Sequence, residues 1–462
     1  MTEPTAGTSA PEDAAALPES GPDAADSAPA VAAADAQPPV SPSDAALSRY
    51  QHSLRRHRIV YYAVLAVLLA AVGTVVGVAW SHGEVAHASL HTFRPPPGNL
   101  PLGSPSVTQQ ESWHTTDRLA DGVPQWNGTV ITFSDHTVGG RDARTGKRTW
   151  TYTRTDRTIC TVGQAAGTTV AVFENRGNCD EVDAFYSGTG GRRWTRTLDF
   201  DGEPVNGRPA FQTTPSTFMV TTDSVIYALD PVTGYQRWTY QRNGCRIGRA
   251  VLGSTGALIS QNCSDEVVCS GLKFCARGPQ LILRDRDAGT DDKSKDNPDK
   301  IKWLKADDRT VPVSADQVVS TVEPDGTRLH LLDPGKGTQT QQVALNTPSG
   351  ELGPISAIAT TGDEVIWLAG RAYAIRAGAA RPDWTAATSS PPTIVSTAGE
   401  DTPTLATARI TVPTATGIGI LDGNDGRTIN RFTVQAPAPG SLVHPLGTGF
   451  LVSGLSGVVA YR

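Results

Sequence analysis

Trp150, Trp194 and Trp238 follow one another at intervals of 44 residues, and each closes the same frame: Asp142-x3-Gly146-x3-Trp150, Tyr186-x3-Gly190-x3-Trp194 and Asp230-x3-Gly234-x3-Trp238. A weaker copy stands at Arg376-x3-Ala380-x3-Trp384. A fixed period of this size marks a repeat architecture, in which each unit buries its apolar face only against its neighbours. The frame itself is hairpin chemistry. An apolar strand such as Val225–Leu229 ends in Asp230, Gly234 allows a positive φ in the turn, and a strand carrying Trp238 follows. The indole supplies a large face for packing and an N–H that needs an acceptor.

The frame continues in degraded form. Asp285 and Gly289 open a fourth unit whose turn is lengthened through Thr290 to Asp299 before Trp303; Asp333 with Gly337 opens a fifth, Arg376 to Trp384 a sixth, and Asp422 with Gly426 a seventh. Apolar runs such as Thr168–Phe173, Phe218–Thr221, Glu364–Trp367 and Gly449–Val452 supply a further strand between them. Gly457–Arg462 reads as an Asp-type strand with no Trp strand after it, and Gln110–Thr115, with Trp113, as a Trp strand with nothing before it. Joined, they form an eighth unit and close a ring, which removes open sheet edges. About 350 residues over eight units leaves about 44 each. The expected fold is therefore all-β: an eight-bladed propeller of four-stranded antiparallel blades over 108–462, with seven blades as the alternative count. Trp113, Trp150, Trp194, Trp238, Trp303 and Trp384 are expected to dock blade on blade.

Residues 1–48 are Ala, Pro, Ser and acid, with Glu3, Glu12, Asp13, Glu19, Asp23, Asp26, Asp35 and Asp44 and no basic residue before Arg49. Such a composition offers too little apolar surface to offset ordering entropy, so a disordered acidic tail is expected. After a basic stretch at 49–58, residues 59–80 (IVYYAVLAVLLAAVGTVVGVAW) hold no charge, and as a helix they reach about 33 Å, enough for a hydrocarbon core of about 30 Å. Arg49, Arg55, Arg56 and Arg58 precede this run, and the next basic residue after it is Arg94. That asymmetry sets the N-terminus in the cytoplasm and the remainder outside. Ala86-His87-Ala88 resembles a signal-peptide cleavage site, but the apolar run and its leader are too long for one. Gly73 and Gly77 have the spacing of a helix-pairing motif, a weak pointer to a homodimer. Pro95-Pro96-Pro97 and its neighbours favour an extended stem over 81–107, holding the propeller away from the bilayer.

All six cysteines lie between 160 and 275. Cys160-Thr-Val-Gly163 matches Cys245-Arg-Ile-Gly248, and Asn178-Cys179 matches Asn262-Cys263, so pairs occupying matched places in two repeats are expected to bond: Cys160 to Cys179, Cys245 to Cys263 and, by remainder, Cys269 to Cys275. A zinc site is disfavoured, because Cys269 and Cys275 have no flanking His or second Cys pair.

The Ala-x-Asp-x3-Gly-x3-Trp pattern, fullest at Ala228, Asp230, Gly234 and Trp238, resembles the PQQ-like (quinoprotein-type) propeller repeat and its tryptophan-docking motif. The abundance of Ala, Gly, Thr, Arg and Asp over Lys resembles that of membrane-anchored propeller proteins of high-GC bacteria. The family's dehydrogenases hold PQQ under a disulfide of adjacent cysteines, with calcium and an Asp base. This chain has no adjacent cysteines, so the resemblance transfers no catalytic, cofactor-binding or metal-ligating residue, and no cofactor is expected. Other family members are cofactor-free scaffolds. No HExxH, GxSxG or Walker frame is present, Asp285, Asp287, Asp291 and Asp292 miss the EF-hand spacing, and a net charge of −6 with dispersed basic residues shows no nucleic-acid footprint.

The leading expectation is a non-enzymatic, single-pass envelope protein whose propeller binds a protein, peptide or glycan partner. Blade four, with insertions over Cys263–Gln280 and Gly289–Asp299, is the expected binding surface. An enzyme working in the propeller channel, quinone-dependent or hydrolytic, and a transmembrane sensor are the alternatives.

Overall fold

The computed structural model describes residues 44–82, 84–92, 96–98, 100, 109–122, 125–175, 177–200, 209–241, 244–264, 277–286, 300–307, 310–347, 352–395, 404–414, 416–435, 437–438 and 440–462. It falls into two units, Met1–Val76 and Gly77–Arg462. The first is represented by the helix Asp44–His82, of which Arg58–Val78 is long and apolar enough to cross a membrane. The helix starts at Asp44, inside the segment expected to be a disordered tail, because Ala45, Ala46, Leu47, Arg49, Gln51 and Leu54 are good helix formers that extend the helix back from the apolar run. The Thr74 hydroxyl donates to the Ala70 carbonyl at 2.7 Å, so this polar side chain of the apolar stretch is satisfied within the helix.

The second unit is an eight-bladed propeller. Blade one comprises Arg118–Leu119, Thr129–Phe133, Thr137–Asp142 and Arg148–Arg154, and blade two Thr158–Ala165, Thr168–Asn175, Asn178–Tyr186 and Arg192–Thr197. Blade three holds Ala210–Thr213, Phe218–Thr221, Val225–Leu229 and Gln236–Gln241, and blade four Cys245–Leu252, Gly256–Cys263, Gly278–Asp285 and Ile301–Ala306. Blade five is Val311–Ala315, Val319–Val322, Arg328–Leu332 and Gln339–Ala344, and blade six Ser356–Ala359, Glu364–Leu368, Arg371–Ile375 and Trp384–Ala387. Thr393–Val395, Arg409–Thr414, Gly417–Asp422 and Thr428–Thr433 make blade seven. Blade eight joins Leu442–Leu446, Gly449–Gly454 and Gly457–Tyr461 to Glu111–Thr115, which pairs with the last of these through Glu111↔Tyr461 and Thr115↔Val458. Backbone bonds between Gln110 and Arg462, 2.8 and 2.9 Å, complete the closure.

The repeated frame works between blades. In blade one's turn, Asp142 Oδ1 accepts the amides of Arg144 and Thr145 at 2.8 and 3.0 Å, while the Gly146 amide donates to the Asp142 carbonyl at 2.8 Å. Gly146 has φ +68°. A Cβ there would lie 2.6 Å from the ring of Trp113, a residue of blade eight. Trp113, Trp150, Trp194, Trp303 and Trp384 thus lie over Gly146, Gly190, Gly234, Gly337 and Gly426 of the next blades, and all six indoles donate to a next-blade carbonyl: Trp113 to Ala143 (3.1 Å), Trp150 to Ser187 (2.8 Å), Trp194 to Pro231 (3.1 Å), Trp238 to Arg286 (3.1 Å), Trp303 to Pro334 (3.2 Å) and Trp384 to Gly423 (2.7 Å).

Two departures from the frame have physical reasons. Gln341 holds the Trp position of blade five; its Nε2 donates to the carbonyls of Arg376 and Ala379 in blade six's turn, and its Oε1 accepts the Gly378 amide. An amide needs no flat glycine surface, and this is the turn where Ala380 replaces glycine. Asn430 holds the Trp position of blade seven and is exposed. Strands three and four of blade eight come from opposite parts of the sequence, so no hairpin turn joins them and none is there to receive an indole.

The segment expected to be an extended stem is instead bound to the propeller. Ala88–His91 adds a fifth, outermost strand to blade one, with Ala88↔Arg154 and His91↔Thr151 in register. Leu100 is buried beside Trp113, Val130 and Ala143. Glu84 bonds to Arg192 and, at 2.8 Å, to the Tyr152 hydroxyl, in a cluster that also holds Asp183 and the buried Arg154. Burial alone would raise the Glu84 carboxyl, but its bonds from Arg192 and Tyr152 and the surrounding positive charge hold it below the ordinary value.

Two buried groups give the propeller a pH dependence of known sign. Glu364, fully buried between blades five and six and bonded to the Ser320 hydroxyl at 3.0 Å, is pushed up to about 8 by desolvation. A raised carboxyl contributes stability that is complete below its ordinary value of 4.5 and is lost as pH rises through about 8. His444, on blade eight's inner strand, is depressed by burial to about 4, so its contribution is present above 6.5 and is lost as pH falls through about 4. In urea unfolding between about pH 6.5 and about pH 9, where the His444 contribution is constant, the wild-type midpoint should decline while Glu364→Gln holds level; parallel curves would contradict the burial of an uncompensated carboxyl. In the same assay Trp113→Ala should cost about 3–5 kcal/mol. Asn430→Trp should change stability by less than about 0.5 kcal/mol, and a gain of more than about 1 kcal/mol would show a docking turn where none is expected.

Candidate functional site

The strand topology gives the propeller two faces. The hairpins joining strand one to two and three to four, including every glycine turn, lie on a docking face. The two-to-three hairpins and the blade-to-blade connections lie on a crossover face. Cys263↔Gly278 and Gly256↔Asp285 are cross-strand partners, so the insertion after Cys263 leaves from the crossover face and the one after Asp285 from the docking face. The expected binding surface on blade four thus rests on two insertions whose described flanks stand at opposite ends of the blade. The inserted segments themselves, 265–276 and 287–299, lie outside the described residues, and with them Cys269 and Cys275.

Both observed disulfides sit on the crossover face. Cys160 is bonded to Cys179 and Cys245 to Cys263. Their places in the repeat are not equivalent, although their flanking sequences match. Cys179 begins the third strand of blade two, whereas Cys263 ends the second strand of blade four directly opposite Cys245. Loops of 19 and 18 residues contribute about 3 kcal/mol each in the chain-entropy model.

A cavity of about 710 Å3 opens on this face between blades four and five, walled by Ile247, Pro279 and Val311 with Arg246, Asn262 and Thr310 around them. Local sequence explains its form. Gly248 is the extra residue of a bulge between Ile247↔Gln261 and Arg249↔Ser260, which changes the aim of the strand. The Ser260 hydroxyl pins that bulge, accepting the Arg249 amide at 3.1 Å and donating to the Arg249 carbonyl at 3.3 Å. Behind it, buried Gln261 accepts from the Tyr240 hydroxyl at 2.7 Å and donates to Gln280 at 3.0 Å, so the wall is a satisfied polar network. Asp307, on the connection to blade five, accepts the Thr310 amide and hydroxyl at 2.7 and 2.8 Å.

Arg249 separates this cavity from a second one of about 200 Å3 on the channel side, whose lining includes Gln212, Ser314, Asp316 and Ser356. Burial without a carboxylate partner depresses the Arg249 guanidinium below its ordinary value. A third cleft, about 480 Å3 on blade five, holds Lys305, Glu323 and His330, whose ring nitrogens meet Gln339 at 2.7 Å and Glu323 at 3.1 Å. Nearer the axis, Asp121–Gly122 runs parallel to Gly163–Gln164 on the inner edge of blade two. The Asp121 surface is open to the narrow channel, yet surrounding protein removes bulk water and raises its carboxyl, while a Thr161 bond at 3.5 Å opposes the rise. Among the described residues no group of three or more His, Cys, Asp and Glu is arranged to hold a metal ion.

The six expected docking tryptophans thus mark the blade interfaces and take no part in these cavities. Arg249, Gln341 and Glu364 were not singled out by sequence. Arg249 follows the Cys245-Arg-Ile-Gly248 run but carries no motif, and the partners of all three lie on other blades.

Residues 135–280 match a PQQ-like repeat family model described as outer membrane protein assembly factor BamB, a span from the second-to-third turn of blade one into blade four. A search of curated proteins by sequence finds no match. Among solved structures, the chain is similar to BamB from Moraxella catarrhalis at 16% identity, covering 76% of this chain and 96% of that one, with a TM-score of 0.46. It is also similar to the computationally designed Ika8 protein at 12% identity, covering 78% and 99%, with a TM-score of 0.44. The family match covers residues 135–280, and the second unit as a whole folds into eight propeller blades.

Proposed function

We propose that this chain is a membrane-anchored binding protein of the cell envelope, whose propeller lies outside the membrane and holds a protein or peptide partner on its crossover face at blades four and five. The observation that carries this reading is the cavity of about 710 Å3 at that junction, with aliphatic walls, a polar rim and a frame fixed by the Cys245–Cys263 bond. Concave, mostly apolar sites with a few placed polar groups are the usual form of ligand pockets. Two disulfides suit an oxidising compartment, and the arginines before the apolar helix suit a cytoplasmic N-terminus. The matched family model is described as an assembly factor, a role exercised through binding.

Photocrosslinking in cells compares the two faces. A crosslinking amino acid at Arg246 or Thr310 should capture a defined partner, and one at Tyr235, exposed on the docking face, should not. Capture from Tyr235 alone would assign binding to the opposite face and overturn the proposal.

A further inference from the structure

We infer that Arg249 is the anchor of a carboxylate-binding site, reached from the blade four–five cavity and taking an acidic side chain of an extended peptide; this rests on the crossover-face reading above. The inner strand of blade four starts on that face, and its Arg249 side chain reaches the head of blade six. There Nη2 donates to the Ile355 carbonyl at the head of blade six, at 3.0 Å. That is the single hydrogen bond its guanidinium makes among the described residues, and Nε is buried without an acceptor. A guanidinium offers five N–H donors, and here the buried Nε–H is left unmatched, a cost that an arriving acceptor would remove.

The surroundings select the ligand. Among the described residues that line the inner cavity, Arg249 is the one cation and Asp316 the one acid. Asp316 accepts the Ser254 amide at 2.8 Å, and no ion pair joins it to Arg249. Gln212 is also committed, donating to the Ala250 carbonyl and accepting the Leu252 amide, both at 2.7 Å. One unmatched positive charge fits one negative charge, which favours a carboxylate over a doubly charged phosphate. The planar fork also matches a carboxylate in two-point contact. About 200 Å3 admits a short acidic side chain, while the adjoining larger cavity has room for the peptide that bears it. Arg246, exposed at the outer rim and 3.6 Å from Asp223, already has a partner, and Arg427, exposed on blade seven's docking-face turn, serves as the internal control.

The test is arginine modification by phenylglyoxal on the full chain in detergent, followed residue by residue by mass spectrometry. The probes are an N-acetylated Gly-Glu-Gly amide, the same peptide with Gln, acetate and inorganic phosphate. The Glu peptide should slow modification of Arg249, leave Arg427 unchanged and outperform its Gln counterpart. Calorimetric affinity for the Glu peptide should fall about tenfold or more in Arg249→Gln, the loss of one charge-assisted bonded pair, with partial retention in Arg249→Lys. Equal modification with and without the Glu peptide, or an Arg249 inert under all conditions, would overturn the inference. Protection by acetate alone would make the ligand a free carboxylate, and protection by phosphate alone would refute the carboxylate assignment; each rejects the peptide. Crosslinking from Arg246 that persists unweakened in Arg249→Gln would refute the Arg249 anchor while leaving the crossover-face reading intact.

Discussion

The structure depends on one contact repeated around a ring: an indole laid flat over the glycine turn of the next blade, with its N–H on that turn's carbonyl. Each requirement of the contact selects a residue type. The turn must be tight, which Asp142, Asp230, Asp333 and Asp422 secure by accepting amides two or three residues ahead. Its fourth residue must have positive φ and present no Cβ to the ring, and at Gly146, Gly234, Gly337 and Gly426 both demands fall on one position. The indole then buries a large face and satisfies its donor in one placement.

Because the contact runs from blade to blade, neither half of a repeat is explained by its own partner in sequence. Gly146 and Trp150 are neighbours in the frame, yet Gly146 receives Trp113 and Trp150 lies on Gly190. The same logic accounts for the imperfect repeats. Gln341 and Ala380 depart together because they are two sides of one junction, and Asn430 departs where the ring is joined by strands from opposite parts of the chain.

This is why the fold was legible in the sequence while the candidate site was not. Period, blade count and closure by Glu111–Thr115 follow from local turn chemistry repeated at one interval. The paired cysteines were also readable, although their matched flanks, Asn178-Cys179 and Asn262-Cys263, occupy different strands, because short identities do not encode register. Pro95–Pro97 suggested a free spacer, and composition could not reveal that Ala88–His91 would extend blade one. Arg249 was silent for a physical reason: its nearest acceptor, Ile355, lies 106 positions away on another blade. Rigidity supplied by the docked blades leaves positions outside the docking frame, such as Gly248 and Arg249, free to vary.

A double-mutant cycle on the purified protein tests the docking principle most directly, with unfolding free energies measured for Trp150→Ala combined in turn with Gly190→Ala and Gly146→Ala. Docking between blades predicts a coupling energy above about 1 kcal/mol for Trp150 with Gly190, and additivity within about 0.5 kcal/mol for Trp150 with Gly146. Strong coupling inside the repeat and additivity between repeats would contradict it.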